Sequence, residues 1–288
     1  MFPIVDLSGW DFRYEEIVSG TRKKTWVRHN VDSYIFKEPK HDFNEVWAEK
    51  IAAELGAKIG LKTMEVHFSR SESNIGVILK NYVNKAEESI DGSQILASYI
   101  EDFNPFSLEY YYIENIIESL NKEGYLPYIL EDLIDQFIFD ILIANQDRHC
   151  ENWEIIRNLK DDTIKLAPIY DNGSSLGFNV PDNMMEKYVS GNKQLSSFNN
   201  RSISIIGVNS KKKPKSKQLF LFLYESFKKE VIESCSKVRM LSDEHILQIT
   251  KEIPQDIMTG VQKEFVRKLL LSRREMILGW LKECDCYE

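Results

Sequence analysis

The chain has 288 residues, 43% hydrophobic and 28% charged, with 13 Gly and 8 Pro, which excludes global disorder and a collagen-like or low-complexity chain. With 37 Lys and Arg against 45 Asp and Glu the net charge is −8, so bulk attraction to nucleic acid or an anionic membrane is not expected, and no apolar run is long enough for a membrane span. The start, MFPIVDLSGWDFRYEE, lacks the basic region of a secretory signal, and the cysteines at 150, 235, 284 and 286 match neither a disulfide scaffold nor a zinc module, so reduced thiols and a cytoplasmic location are expected.

In chain order, residues 12–19, 24–29 and 33–37 read as short strands rich in β-branched and aromatic residues, separated by Gly20 and by Asn30-Val31-Asp32. A helix follows, capped by Asp42 or Asn44, with Val46, Trp47, Ala48, Ile51, Ala52 and Leu55 at helical spacing and Gly56 as its stop. Residues 64–68 and 75–80 return to strand character. Beyond 93 the periodicity is helical, over 93–100, 107–121, 127–145, 219–235, 243–250 and 262–283, with β-like runs at 153–157 and 164–167. The pattern predicts an α+β chain with a small β-rich N-lobe over 1–85 and a larger helical C-lobe over 86–288, dividing near Asn81–Glu88. Residues 171–218, rich in Gly, Asn and Ser and carrying KKKPKSK at 211–217, show little periodicity. A stretch of that kind inside a compact domain is functional or mobile.

The densest chemistry lies at Asn145-Gln146-Asp147-Arg148-His149-Cys150-Glu151-Asn152, between an apolar helix and a β-like run. Asp147 and Asn152 stand at the offset used by phosphoryl-transfer enzymes of the kinase type. There an Asp orients or deprotonates the acceptor and an Asn holds Mg²⁺. An Asx-turn at a helix end would use the same residues. Asp171, two residues before Gly173, ends an apolar strand and with Asn152 would offer Mg²⁺ hard oxygens; a plain turn is the alternative. Upstream, Gly20 would let backbone N–H groups approach a phosphate, with Arg22, Lys23 and Lys24 supplying charge, although a solvated hairpin has the same composition. Lys37 ends the apolar strand Tyr34-Ile35-Phe36, as does the lysine that pairs with ATP phosphates in kinases. Glu45, in the first turn of the next helix, could position Lys37 or the metal site, or simply suit the helix dipole; Glu49 is a second candidate one turn on. Each signal is weak alone. Their order along the chain is that of a kinase catalytic apparatus.

On GTRKKTW at 20–26, FKEP at 36–39, NEVWAEKIAAELG at 44–56, VILKNYV at 77–83, NQDRHCENW at 145–153 and LAPIYDNGSSL at 166–176, the chain resembles HipA-like serine/threonine kinases in a short form. The D-R-H-x-x-N loop with its downstream A-P-x-[YF]-D is the specific part, and the Gly-loop match is looser. The resemblance implies a two-lobed protein-kinase-like fold with ATP and Mg²⁺ as cofactors. It implies that Lys37 contacts ATP phosphates and that Gly20 and Lys24 lie in the phosphate loop. Lys80 and Tyr82 would form the hinge whose backbone meets adenine. Asp147 would be the catalytic base, with Asn152 and Asp171 binding Mg²⁺. Arg148 and His149 would support the loop, contact of His149 with the transferred phosphate being the alternative. The resemblance also implies autophosphorylation, with Ser19 as a candidate, and a protein substrate. In toxin members that substrate is an aminoacyl-tRNA synthetase and in effector members a host protein, so secretion as an effector is a second possible destination. An antitoxin is an implied partner. The first predicted strand begins at residue 12, so the extra N-terminal subdomain of full-length HipA-like toxins is not expected, nor an antitoxin contact made through it.

Two other functions fit parts of the pattern. A nucleotide-binding pseudokinase would act as a binding module, but every base and metal residue is present. A lipid or antibiotic kinase is the other; D-R-H-x-x-N also occurs in phosphatidylinositol kinases. Aminoglycoside kinases favour H-G-D-x-x-x-x-N, unlike NQDRHCEN, and a membrane-facing basic surface is offered only by KKKPKSK.

Overall fold

The computed structural model describes residues 1–15, 24–39, 44–72 and 74–286. Six strands form one sheet in the order β1-β5-β6-β4-β3-β2, comprising β1 (Ile4–Asp6), β2 (Asp11–Arg13), β3 (Lys24–His29), β4 (Asp32–Lys37), β5 (Val66–Ser71) and β6 (Asn74–Lys80). β1 runs parallel to β5 and the other pairs are antiparallel. The β3–β4 hairpin turns on Asn30, whose φ of 55° is a conformation Asn tolerates. Its register sets Lys24 directly opposite Lys37. On the other side of β4, a Cβ at Gly76 of β6 would lie 2.3 Å from the Lys37 carbonyl, so only glycine allows that approach.

Helix α1 (Asn44–Lys58) buries Trp47, Ile51 and Leu55 against β5 and β6. Gly56 does not end it. The helix runs to Lys58, Gly60 takes the left-handed turn at φ 82°, and Gly56 is a packing residue whose added Cβ would meet Thr63 at 2.3 Å.

A second sheet, β7-β8-β9, follows with β7 (Glu87–Asp91), β8 (Glu154–Asn158) and β9 (Ile164–Leu166). Strands β1 and β7 escaped the sequence reading: β1 is three residues long, and Glu87-Glu88-Ser89-Ile90-Asp91 lacks an apolar alternation. The helical part comprises α2 (Gly92–Tyr99), α3 (Ile113–Lys122), α4 (Leu126–Ile143), α5 (Asp182–Ser190), α6 (Asn192–Asn200), α7 (Ser216–Ser226), α8 (Lys228–Met240), α9 (Asp243–Glu252) and α10 (Gly260–Asp285). The segment 107–121 is helical only from Ile113, because Tyr110 turns left-handed at φ 64° and Tyr112 bridges to Gly207. The predicted helix 219–235 is two helices. Phe227 leaves helical geometry at φ −141°, and its N–H closes α7 on Leu223 while its carbonyl opens α8 to Val231. Nor is 171–218 without regular structure: α5 and α6 are weak helix formers held by burial of Met185, Tyr188 and Leu195.

The fold is α+β, a small β-rich lobe against a larger helical one. One contiguous apolar core runs from Trp47 of α1 through Phe137 of α4 to Phe265 of α10, and a smaller one (Leu7, Val27, Phe36, Ile78) lies on the outer face of the six-stranded sheet. Among the described residues no helix is long and apolar enough to cross a membrane.

Candidate active site

Like charges facing each other across a strand pair repel, so Lys24 opposite Lys37 calls for an anion between them. Asp171 provides it. Its Oδ2 lies 3.2 Å from the Lys24 ammonium and its Oδ1 lies 3.2 Å from that of Lys37. Lys37 also reaches Glu49 Oε2 at 3.5 Å. Glu49 is 1% exposed, and its two oxygens accept the backbone N–H groups of Asn172 and Gly173 at 2.9 and 3.1 Å. Those consecutive N–H groups converge on one carboxylate because Asp171 sits in the left-handed region at φ 55°. The Asp171-Asn172-Gly173 turn is therefore real, and α1 anchors it.

The loop 145–152 is organised by Arg148, 2% exposed. Its Nε and Nη2 donate to the two oxygens of Asp140, each at 2.9 Å, and Nη2 also donates to Asn172 Oδ1 at 2.7 Å. Nη1 donates to the carbonyls of Asn152 and Tyr170 at 2.7 and 2.6 Å. Burial works against the Arg148 charge, but the Asp140 carboxylate outweighs it and the guanidinium is held above its ordinary pKa. One side chain thus joins α4, the 145–152 loop and the segment entering Asp171. Asp147 stands at the half-buried front of that loop. Its backbone N–H donates to Asn145 Oδ1 at 3.0 Å, its carbonyl accepts from Asn152 Nδ2 at 2.6 Å, and Ser174 Oγ lies 3.4 Å from its Oδ2. His149 accepts from the Glu151 N–H at 3.3 Å and caps the 3₁₀ turn Cys150–Asn152.

Lys80 and Tyr82 lie where β6 leaves the first sheet. The Lys80 ammonium pairs with Asp32 at 3.4 Å on the exposed side, and its backbone N–H donates to Glu65 at 3.2 Å. Tyr82 donates to Glu154 Oε2 at 2.7 Å, while Tyr170 donates to Oε1 of the same carboxylate at 3.0 Å. Burial, then Glu154, raises the pKa of Tyr82, and burial raises that of Tyr170, so both stay protonated donors.

Of the predicted site residues, Lys24, Lys37 and Asp171 meet directly, and Asp147 and Asn152 meet within their loop. Glu45 lines a small depression with Lys37 and Glu49, but the carboxylate joined to both Lys37 and the Asp171 turn is Glu49. Gly20 lies outside the described residues, as do Ser19, Arg22, Lys23 and Asp42. Asp140 and Glu154 are not among the predicted site residues, and Tyr170 is, but only as the aromatic position of the A-P-x-[YF]-D motif, with no role. Asp140 carries a signal, an acid within the apolar run of α4 five residues before Asn145; Glu154 carries none.

The donor set suits Mg²⁺. Asp171 and Asn152 are buried hard-oxygen donors, and among the described residues no cluster of three or more His, Cys, Asp or Glu could cage a metal. Magnesium keeps waters and takes one or two protein oxygens beside substrate phosphates.

The family profile described as HipA-like C-terminal domain matches residues 17–257. The serine/threonine-protein kinase CtkA of Helicobacter pylori is 24% identical over 245 residues, covering 82% of this chain and 71% of that protein. The crystal structure of the Helicobacter pylori proinflammatory kinase CtkA superposes with a TM-score of 0.80 at 22% identity, over 98% of each chain. HipA, in its complex with HipB and operator DNA from Shewanella oneidensis, gives a TM-score of 0.56 at 14% identity, over 93% of this chain and 66% of that one. These matches place the two lobes in the protein-kinase-like fold.

Proposed function

The chain belongs to the HipA-like C-terminal domain family, and from that premise we propose that it is an ATP- and Mg²⁺-dependent serine/threonine protein kinase, with lobes 1–85 and 86–288 forming one catalytic unit. The observation that carries this reading is the junction of Lys24, Lys37, Glu49 and Asp171, which come from four separate elements to one point between the sheet and the 145–152 loop.

In this reading Lys37 and Lys24, with Gly20, contact the ATP phosphates, and the backbone at Lys80 and Tyr82 meets adenine. Asp171 and Asn152 hold Mg²⁺, which when bound supplies charge neutralisation on the phosphates. Glu49 holds Lys37 and the turn of Asp171 in register, and Glu45 borders the same depression. Asp147 orients the acceptor hydroxyl and takes its proton as the acceptor oxygen bonds to the γ-phosphorus and the bond to the β-phosphate oxygen breaks, releasing ADP. The acceptor is a protein hydroxyl, consistent with the serine/threonine kinase named among the relatives, and an aminoacyl-tRNA synthetase or a host protein is the proposed class. An antitoxin partner is supported by the toxin–antitoxin complex in which the HipA relative was solved.

The test is incubation of wild type and Asp147→Asn with γ-labelled ATP, Mg²⁺ and a cell lysate, followed by phosphosite mapping, with lipid and aminoglycoside acceptors in parallel. The expected result is Ser or Thr phosphosites that fall by about 10²–10⁴-fold in rate in the variant while ATP binding persists. Transfer to a lipid or aminoglycoside alone would overturn the protein-kinase reading, and nucleotide binding with no transfer to any acceptor would make the chain a pseudokinase.

A further inference from the structure

Behind the 145–152 loop, bounded by α4, α6, α7 and α10, lies a cavity of about 390 Å³. Asp140, Asn145 and Arg148, which support the Asp147 loop, form its near wall, while none of Lys24, Lys37, Glu49, Asp147, Asn152 or Asp171 lines it, so it lies behind the site above and does not open on its reacting residues. Its volume falls in the range of small-molecule sites. Phe137, Phe198, Ile206 and Leu219 give it an apolar wall. Exposed Arg201 and Ile203 stand at its solvent side.

The unusual member of the lining is Arg273 of α10, 1% exposed. Part of its role is structural: Nε and Nη2 both donate to the Ile141 carbonyl in the last turn of α4, a helix-end cap. That acceptor uses only part of the five N–H donors of a guanidinium. The next acceptors are distant, Ser202 Oγ at 3.4 Å and Asn199 Oδ1 at 3.5 Å. Among the described residues no carboxylate pairs with Arg273. Asp140 also lines the cavity, but Arg148 holds both its oxygens. Burial alone pulls the Arg273 pKa down to about 9. A buried cation without a counter-charge costs several kcal/mol. A ligand that brought a negative charge into the cavity would offset that cost and bury its own apolar part on the aromatic wall.

We propose that this cavity binds a small amphipathic anion, an apolar body carrying one carboxylate or phosphate, with the charge against Arg273 and Arg201 and the body on Phe137, Phe198 and Leu219. The inference is independent of the kinase reading, because binding is read directly and no transfer is needed.

The experiment is calorimetric titration and thermal unfolding of the full chain with octanoate, octyl phosphate and octanol. Saturable one-to-one binding and a rise in Tm are expected for one or both anions, the tighter one identifying the head group. Octanol should bind at least about ten-fold more weakly, a difference of 1.4 kcal/mol. Arg273→Gln should remove the preference for the anion, and Arg201→Gln should reduce it. If Arg273→Gln does not fold, Arg201→Gln decides alone, since its side chain is exposed and, among the described residues, bonds only the Ser197 carbonyl. Equal affinity for octanol and the anions, no saturable binding of either anion, or unaltered anion binding in the folded arginine variants would overturn the proposal.

Discussion

Lys24 and Lys37 face each other across β3 and β4, and the repulsion between them gives Asp171 and Glu49 a structural task beside their proposed place in the site. Removing Glu49 takes from Lys37 one of its two carboxylates and from the buried N–H groups of Asn172 and Gly173 their acceptor. Glu49→Ala is therefore expected to lower stability by roughly 3–5 kcal/mol, read from the urea midpoint. Glu45→Ala, in the first turn of the same helix and only half-buried, should cost less. Similar midpoints for the two variants would show that Glu49 is not the anchor of the Asp171 turn. The cysteines give a second test at this scale. Burial pushes the thiols of Cys150 and Cys235 up to about 12, whereas Cys286 is exposed. Iodoacetamide at neutral pH should alkylate Cys286 well before Cys150 or Cys235, with mass spectrometry following the order. Early labelling of Cys150 would mean that the loop 145–152 opens readily.

Among the elements, α4 carries the most consequence. Its last turn supplies Asp140, and through Arg148 that carboxylate sets both the loop of Asp147 and the approach to Asp171. Arg148→Met would leave Asp140 buried without its cation. A loss of about 3–5 kcal/mol is expected, seen as a fall in Tm, with Asp140→Asn in the same background recovering part of it. No recovery in the double variant would argue that Arg148 acts through the carbonyls it binds. The Lys211-Lys212-Lys213 run is exposed and precedes α7, with Lys211 bonded to Gln218 at 2.9 Å. Exposed charges of this kind add little to stability. Changing all three to Gln should leave Tm and ATP affinity unchanged while lowering transfer to the protein acceptor. Equal transfer before and after would assign the run to solvent alone.

Taken whole, the molecule hangs together through polar links as well as its continuous apolar core. Glu154 of β8 accepts from Tyr82, at the exit of the first sheet, and from Tyr170, next to Asp171. This ties the connection between the lobes to the segment that presents the acid. A double-mutant cycle on Tyr82→Phe and Glu154→Gln should give a coupling of roughly 0.5–3 kcal/mol in stability. Additive effects would show that the two lobes communicate only through packing.

Much of this was legible from residue order alone. Helical period marked α1, α4, α9 and α10, turn residues marked the β3–β4 hairpin, and the spacing of Asp147, Asn152 and Asp171 suggested phosphoryl transfer, because each depends on neighbours close in the chain. Elements stabilised by distant contacts were not legible. β7 is a strand because β8 pairs with it, and α5 and α6 are helices because α10 buries them. The break at Phe227 carries no Gly or Pro to announce it. The same division runs through the site. The sequence offers Glu45 first and Glu49 second, one turn apart, and only the packing of α1 against the Asp171 turn, 123 residues away, joins Glu49 to it. Arg148 and Asp140 pair because the chain reverses at Ala144, in the left-handed conformation at φ 54°, bringing the guanidinium back to the helix it has just left. Local periodicity reports which face of an element is apolar; which buried charge finds which partner depends on how those faces pack, and that is a property of the tertiary structure.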